Sequence, residues 1–321
     1  SAISVRFPDD PTIDEGRFID MVLQRTGLEG HTVTPTAADM VRDLRQLHWH
    51  HETIIPGPSM YLEWSLMRQA RALGYKVVID GQGADEILAG YACYLKAYQA
   101  ELASGGPVGF LRALHVGRMR DQRLQQAATL YADSSRRFST KDSLELIQLL
   151  RYKRRWLPKR VAEYGDDGLP LPNDIGPLRF DLALNLLRTS LPSNLFSGDR
   201  NSMAHGIECR YPFLDYELVD FTTRLPDVAF LDKAWGKSLL RKAMPDRLPS
   251  KIAWRPDKVG FAAPQDKWLA TPVASDWLRE RIFDSGLSGL PGYRFEDAMR
   301  CWLQHQAGTS DQSSILWQWA S

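Results

Sequence analysis

The chain of 321 residues is 44% hydrophobic and 10% aromatic, enough apolar material to bury a substantial core as one large domain or two. Its net charge of +1 excludes a global field that would draw nucleic acid or an anionic membrane surface. No apolar run approaches the ~20 residues of a membrane span and no signal peptide opens the chain. The cysteines Cys93, Cys209 and Cys301 are scattered without metal-ligand spacing, so they read as buried small hydrophobes of a reducing, cytoplasmic protein.

Ile3–Phe7 reads as a strand closed by the Pro8–Pro11 turn, after which Asp14 and Glu15 open a helix with Phe18, Ile19, Val22 and Leu23 at helical spacing. A second strand is expected at 31–34. Thr36 then reads as the N-cap of a helix carrying Met40, Val41, Leu44 and Leu47. A Pro/Gly loop at 54–58 leads to a helix from Ser59 to about Leu73. Lys76–Asp80, with Val77, Val78 and Ile79, reads as a buried strand, and Gly81-Gln82-Gly83-Ala84-Asp85-Glu86 follows at once. Strands alternating with helices predict an α/β fold with a parallel doubly wound sheet, in which ligands bind at the carboxyl edge of the strands. The two glycines let backbone approach a ligand closely, and Asp85 and Glu86 fall in a first helical turn, where the dipole tolerates them. A phosphate arriving with a divalent cation suits those carboxylates. On spacing alone, a plain strand-turn-helix corner remains open beside that reading. Beyond Tyr91 the strand signal fades, and 92–160 and 178–245 read as amphipathic helices interrupted by Gly/Pro loops at 104–107 and 165–177.

A second block, Asp199–Asp215, reads DRNSMAHGIECRYPFLD. With DGQGADEILAGY at Asp80–Tyr91, it resembles the synthetase domain of the asparagine synthetase family. That family carries S/D-G-x-G-x-D-E-x-x-x-G-Y and D-R-x-S-M-A-x-x-x-E-x-R-x-P-F-L-D. Arg255–Phe261 (RPDKVGF) is similar to its basic K-x-x-F segment, and Lys237–Arg241 (KSLLR) to its K-x-x-L-R helix. The resemblance implies a nucleotide core of the adenine nucleotide α-hydrolase kind in residues 1–91 and a mainly helical remainder in residues 92–321.

The resemblance also implies a chemistry. A carboxylate attacks the α-phosphorus of ATP, giving an acyl-adenylate and pyrophosphate, and an amine then displaces AMP to form an amide. The implied cofactors are ATP and Mg²⁺. The implied partners are aspartate or another small carboxylate, and ammonia from a glutaminase domain that this chain lacks. Residue by residue, Asp85 would be the Mg²⁺ ligand, and Asp80, Gly81 and Gly83 would lie beside the nucleotide, with the Val5 backbone at the adenine. Lys258 would meet the polyphosphate, and Arg200 a phosphate or the substrate carboxylate. Lys237 and Arg255 either add phosphate charge or pair with the protein's own carboxylates. Glu86 reads as orienting the loop or capping the helix, and Asp199, Glu208 and Arg210 as a buried charge network. Asp215 reads as a helix cap after the Pro212 stop, and His205 as a satisfied core histidine. His48, His50, His51 and Glu52 lack a clean metal-ligand pair, and His51-Glu52 reads as lining for an acceptor pocket.

Gln82 departs from the pattern. Many asparagine-forming relatives carry Glu there, with a part in amidation; glutamine keeps the shape but takes no proton. The family's opening strand and S-G-G-x-D-S loop have no match either, so the chain reads as an N-terminally truncated piece, inactive by itself. Its unpaired sheet edges make a homodimer an expectation. Two alternatives stand: a degenerate, non-catalytic scaffold, and a synthetase that closes a β-lactam or a macrolactam.

Overall fold

The computed structural model describes residues 1–130, 176–256, 260–284 and 294–321. Lys258, the helical reading of 131–160 and most of the expected loop at 165–177 lie outside the described residues. In chain order the elements begin with β1 (Ala2–Val5), α1 (Gly16–Thr26), β2 (Gly30–Val33), α2 (Ala37–His51), α3 (Ser59–Ala72) and β3 (Val77–Ile79). Then come α4 (Ala84–Ile87), α5 (Ala92–Ala103), α6 (Gly106–Leu130), α7 (Pro177–Leu187), α8 (Ser190–Met203) and β4 (Glu208–Arg210). The chain continues with α9 (Tyr216–Thr223), α10 (Ser238–Ala243), α11 (Ser250–Ala253) and α12 (Gln265–Leu269), and closes with α13 (Pro272–Arg279), α14 (Phe295–Gln306) and α15 (Ser313–Ala320). The fold is α/β and mainly helical.

The chain divides into two compact units. The first comprises the described residues of Ser1–Val78, Phe196–Cys209 and Val259–Ser321; the second, those of Ile79–Leu195 and Arg210–Lys258.

In the first unit β1 runs parallel to β2 in the register Ala2↔Gly30 to Val5↔Val33. The return turn is pinned by Asp14, which pairs with Arg6 Nε at 3.0 Å and accepts from the Phe7 amide at 2.9 Å. Thr36 caps α2 as expected, within a full capping box: the Asp39 amide donates to Thr36 Oγ1 at 3.1 Å and the Thr36 amide to Asp39 Oδ2 at 3.2 Å. Met40, Leu44 and Leu47 are buried at the three-to-four spacing of an inward helix face. They share a core with Tyr61, Trp64, Trp268, Leu278 and Trp317, whose indole N–H donates to Ile55 O at 2.7 Å.

In the second unit Tyr94, Leu178, Phe230 and Leu231 centre a separate core. Asp215 caps α9 by accepting from the amides of Glu217 (3.0 Å) and Leu218 (3.3 Å), after a 3-10 turn at Pro212–Leu214. That matches the expected stop and restart.

The strands differ from the expectation of one doubly wound sheet. The described residues hold two separate two-stranded sheets, β1–β2 and β3–β4. Flanking bonds from Glu208 N–H to Lys76 O and from Asp80 N–H to Arg210 O rise together along both strands, so β3 and β4 run parallel. Nor is β3 buried throughout. Alternate residues face opposite ways, so Val78 packs on Met67, Ala70 and Ile207 while Ile79 is 74% exposed.

Candidate active site

The loop after β3 is built by its glycines. Gly83 has φ +91°, a left-handed value that side chains resist, and a Cβ there would fall 2.2 Å from Leu214 Cδ2. Among the described residues nothing stands within 4 Å of the Cβ position of Gly81, so its backbone is open to a ligand. Burial pushes the Asp80 carboxyl up, against the amides of Gly81 and Gln82, which donate to it. Helix α4 is a single turn, too short for its dipole to explain the acids at its start. Asp85 instead meets a cation: Lys237 Nζ lies 3.2 Å from Asp85 Oδ1.

Three backbone features hold that pair. A Cβ on Gly90 would fall 1.8 Å from Asp85 Oδ1 and 2.4 Å from Lys237 Cε, so only glycine leaves it room. Ala89 (φ 54°) and Lys237 (φ 53°) are both left-handed, and the Lys237 amide donates to Leu88 O at 3.0 Å. A Cβ on Gly236 would come 2.7 Å from Ala89 O, so these two stretches interlock.

Beside the pair sits Glu86, 1% exposed. Its Oε1 accepts from Tyr91 Oη at 2.7 Å and from Ser190 Oγ at 3.0 Å, and those hydroxyls lie 3.2 Å apart. Burial and the neighbouring acids hold the Tyr91 phenol well above its ordinary range, so it remains a donor. Sequence reasoning assigned no role to Tyr91 or Ser190. The Tyr five places after Glu86 in the motif was the available signal; Ser190, 104 residues from Glu86, left none. On the far side of Lys237, Arg241 donates to the carbonyls of Gly236 (2.8 Å), Ala253 and Arg255 (3.3 Å) and lies over the Trp235 ring.

Asp80, Gly81, Gln82, Gly83 and Asp85 thus share one loop of the second unit. Val5 and Arg200 belong to the first. The Val5 side chain packs against the main core. Because the amides of Ala2 and Arg6 donate to the β2 side, ladder alternation turns the Val5 N–H and C=O toward the opposite edge of β1. Arg200 lies over the Phe196 ring and pairs with Glu52 at 3.2 Å. Next to it Asn201, fully buried, accepts from His51 Nε2 at 2.9 Å and donates to Glu63 Oε2 at 2.8 Å.

Other expectations are corrected. Asp199, Glu208 and Arg210 are exposed rather than buried. Glu208 and Arg210 lie on a strand, where residues two apart share a face, and that face points outward. His205 packs edge-on against Trp64 at 4.5 Å, yet its Nε2 is buried without a hydrogen-bond partner among the described residues. Burial, with Arg68 and His50 nearby, pushes it down to about 4. Cys93 is exposed, and Cys209 and Cys301 are half-buried.

The asparagine synthase family model matches residues 1–321. A putative asparagine synthetase (glutamine-hydrolyzing) of Mycobacterium tuberculosis is 26% identical over 297 residues, covering 88% of this chain and 44% of the relative. Asparagine synthetase (glutamine-hydrolyzing) 1 of Bacillus subtilis is 23% identical over 303 residues, covering 91% of this chain and 46% of the relative. The Amidase chry2 of Gibberella zeae is 22% identical over 307 residues, covering 84% and 44%. The chain therefore spans less than half the length of these relatives. With its glycine loop, its acid–lysine pair and a family match along its whole length, the chain belongs to the asparagine synthase family.

Proposed function

We propose that this chain is the synthetase part of an ATP-dependent amide-forming ligase working through an acyl-adenylate, with aspartate or another small carboxylate as acceptor. The observation that carries the reading is the Asp85–Lys237 pair, clasped beneath Gly90 and next to the open backbone of Gly81. Mg²⁺ is ordinarily held by one or two carboxylates together with phosphate oxygens rather than by an all-protein cage. Asp85, with its Oδ1 shielded from solvent, and the open glycine backbone fit that requirement. When bound, the cation would neutralise charge on the transferring phosphate.

The remaining roles follow from the chain's own groups. Asp80 supplies an acceptor for ribose hydroxyls, Gly81 admits the nucleotide to the backbone, and Gly83 shapes the loop beside it through its left-handed φ. Lys237, already beside Asp85, balances negative charge that gathers at the loop. Lys258 meets the polyphosphate, Val5 offers its outward backbone to the adenine, and Arg200 takes a carboxylate in exchange for Glu52. Gln82 positions the acyl group without moving a proton, so the proton lost by the attacking amine passes to another acceptor.

The test is pyrophosphate release by the full-length gene product with ATP, Mg²⁺ and L-aspartate, supplied with ammonia. We expect aspartate-dependent release that Asp85→Asn and Lys237→Ala each lower by at least ~100-fold, as removal of a preorganised charge partner does. ATP binding without release would redirect the acceptor to another carboxylate. Absence of ATP binding would refute the reading.

A further inference from the structure

Glu86 is a poor place for a negative charge unless something requires it there. It is 1% exposed, and its Oε2 finds no hydrogen-bond partner among the described residues. Removing a carboxylate from water costs several kcal/mol, which hydrogen bonds must offset. Its hydrogen bonds among the described residues converge on Oε1, from Tyr91 at the N-cap of α5 and Ser190 at the first residue of α8. One carboxylate oxygen therefore gathers α4, α5 and α8. An ionised acceptor strengthens each hydroxyl bond roughly twofold over a neutral one.

Their placement in the chain matters. Asp85 immediately precedes Glu86, and Gly90, whose missing side chain houses the Asp85–Lys237 pair, immediately precedes Tyr91. The Gly90 amide donates to Asp85 O at 2.9 Å. The segment from Asp85 to Tyr91 is thus closed at both ends, by that backbone bond and by the Tyr91–Glu86 bond. With both ends tied, the backbone that carries the Asp85 carboxylate is held in place.

Resting on the adenylating reading above, we propose that Glu86 is a positioning residue: through Tyr91 and Ser190 it holds Asp85 in register to receive the divalent cation of a nucleoside triphosphate. Glu86 does not ligate that cation. The bond acceptor is what matters, so glutamine, which keeps an acceptor oxygen at Oε1, preserves the function at a cost in stability.

The experiment is equilibrium binding of Mn²⁺·ATP to the full-length gene product, read by electron paramagnetic resonance, with thermal melting of every variant. Tyr91→Phe and Ser190→Ala are each expected to weaken binding by about fivefold to tenfold, the scale of one ordinary intramolecular hydrogen bond. The double variant should fall short of the product of the two, because the hydroxyls share one oxygen. Glu86→Gln should lower the melting temperature yet bind within about twofold of the unsubstituted chain. If Glu86→Gln loses binding as completely as Asp85→Asn, Glu86 is itself a ligand and the proposal is overturned. It is also overturned if Tyr91→Phe and Ser190→Ala melt earlier but bind unchanged. If the unsubstituted, folded chain binds no Mn²⁺·ATP, the nucleotide reading fails first and this inference falls with it.

Discussion

At position 90 a methyl group would compete for space with Asp85 Oδ1 and Lys237 Cε, both ends of side chains that can swing aside. Gly90→Ala is therefore expected to spare the fold and injure the site. Melting should shift by only a few degrees, in line with ~0.5–1 kcal/mol, while Mn²⁺·ATP binding falls about tenfold as the ion pair is displaced. Gly83→Ala should behave differently, because there the backbone itself is left-handed and Leu214 blocks the side chain. The two substitutions, compared by calorimetry and by binding, separate a glycine kept for its neighbours from one kept for its own φ.

At the scale of the element, what could be read from sequence was what local chemistry decides. Thr36 and Asp215 are caps because a hydroxyl or carboxylate just ahead of an apolar-periodic run satisfies free amides, and both were legible. Thr36→Ala should cost ~1 kcal/mol, measurable as a lower urea midpoint with unchanged slope. Where a partner far along the chain decides, legibility ended. The run Val77–Ile79 looks buried in sequence, but β3 packs one face only, so Ile79 turns outward. Glu208 and Arg210 looked like a buried network because nothing local announced that they sit on a strand paired with β3. The candidate site shows the same split: Asp80, Gly81, Gly83 and Asp85 could be proposed together because they share one motif, whereas Ser190 reaches Glu86 only through the fold. Lys237 was visible as a charge, but its assignment to Asp85 was not.

For the whole molecule, acid is the informative perturbation, and its effects gather in the first unit. Burial pushes the Asp43 carboxyl up, but donation from Arg42, Tyr61 and Arg68 outweighs it and brings it down to about 2 from 3.8. A depressed carboxyl stabilises the fold above its unfolded value, and that contribution of ~2 kcal/mol is lost as pH falls from about 4 through about 2. His205, at about 4, and His48 and His51, both lowered by burial, act at milder pH. As pH drops below 6.5 the unfolded chain takes up protons that these folded imidazoles refuse, so stability falls by up to ~1.4 kcal/mol per pH unit for each group. Melting temperature should therefore decline in two windows, from about pH 6.5 to 4 and again below 4. His205→Leu should make the upper window shallower, leaving the share of His48 and His51, and should not alter the lower one; an unchanged profile in that variant would remove His205 from the account.

The first unit is also assembled from segments far apart in the chain, and the indole of Trp317 closes on the carbonyl of Ile55 across 262 residues. A ribosome delivers the amino end first, at a few residues per second. The apolar surfaces of Met40, Leu47 and Tyr61 therefore await their cover until the segment through Trp317 has been made, while the second unit can already have closed. The interval between the birth of that surface and its burial is the period in which the nascent protein most needs a chaperone.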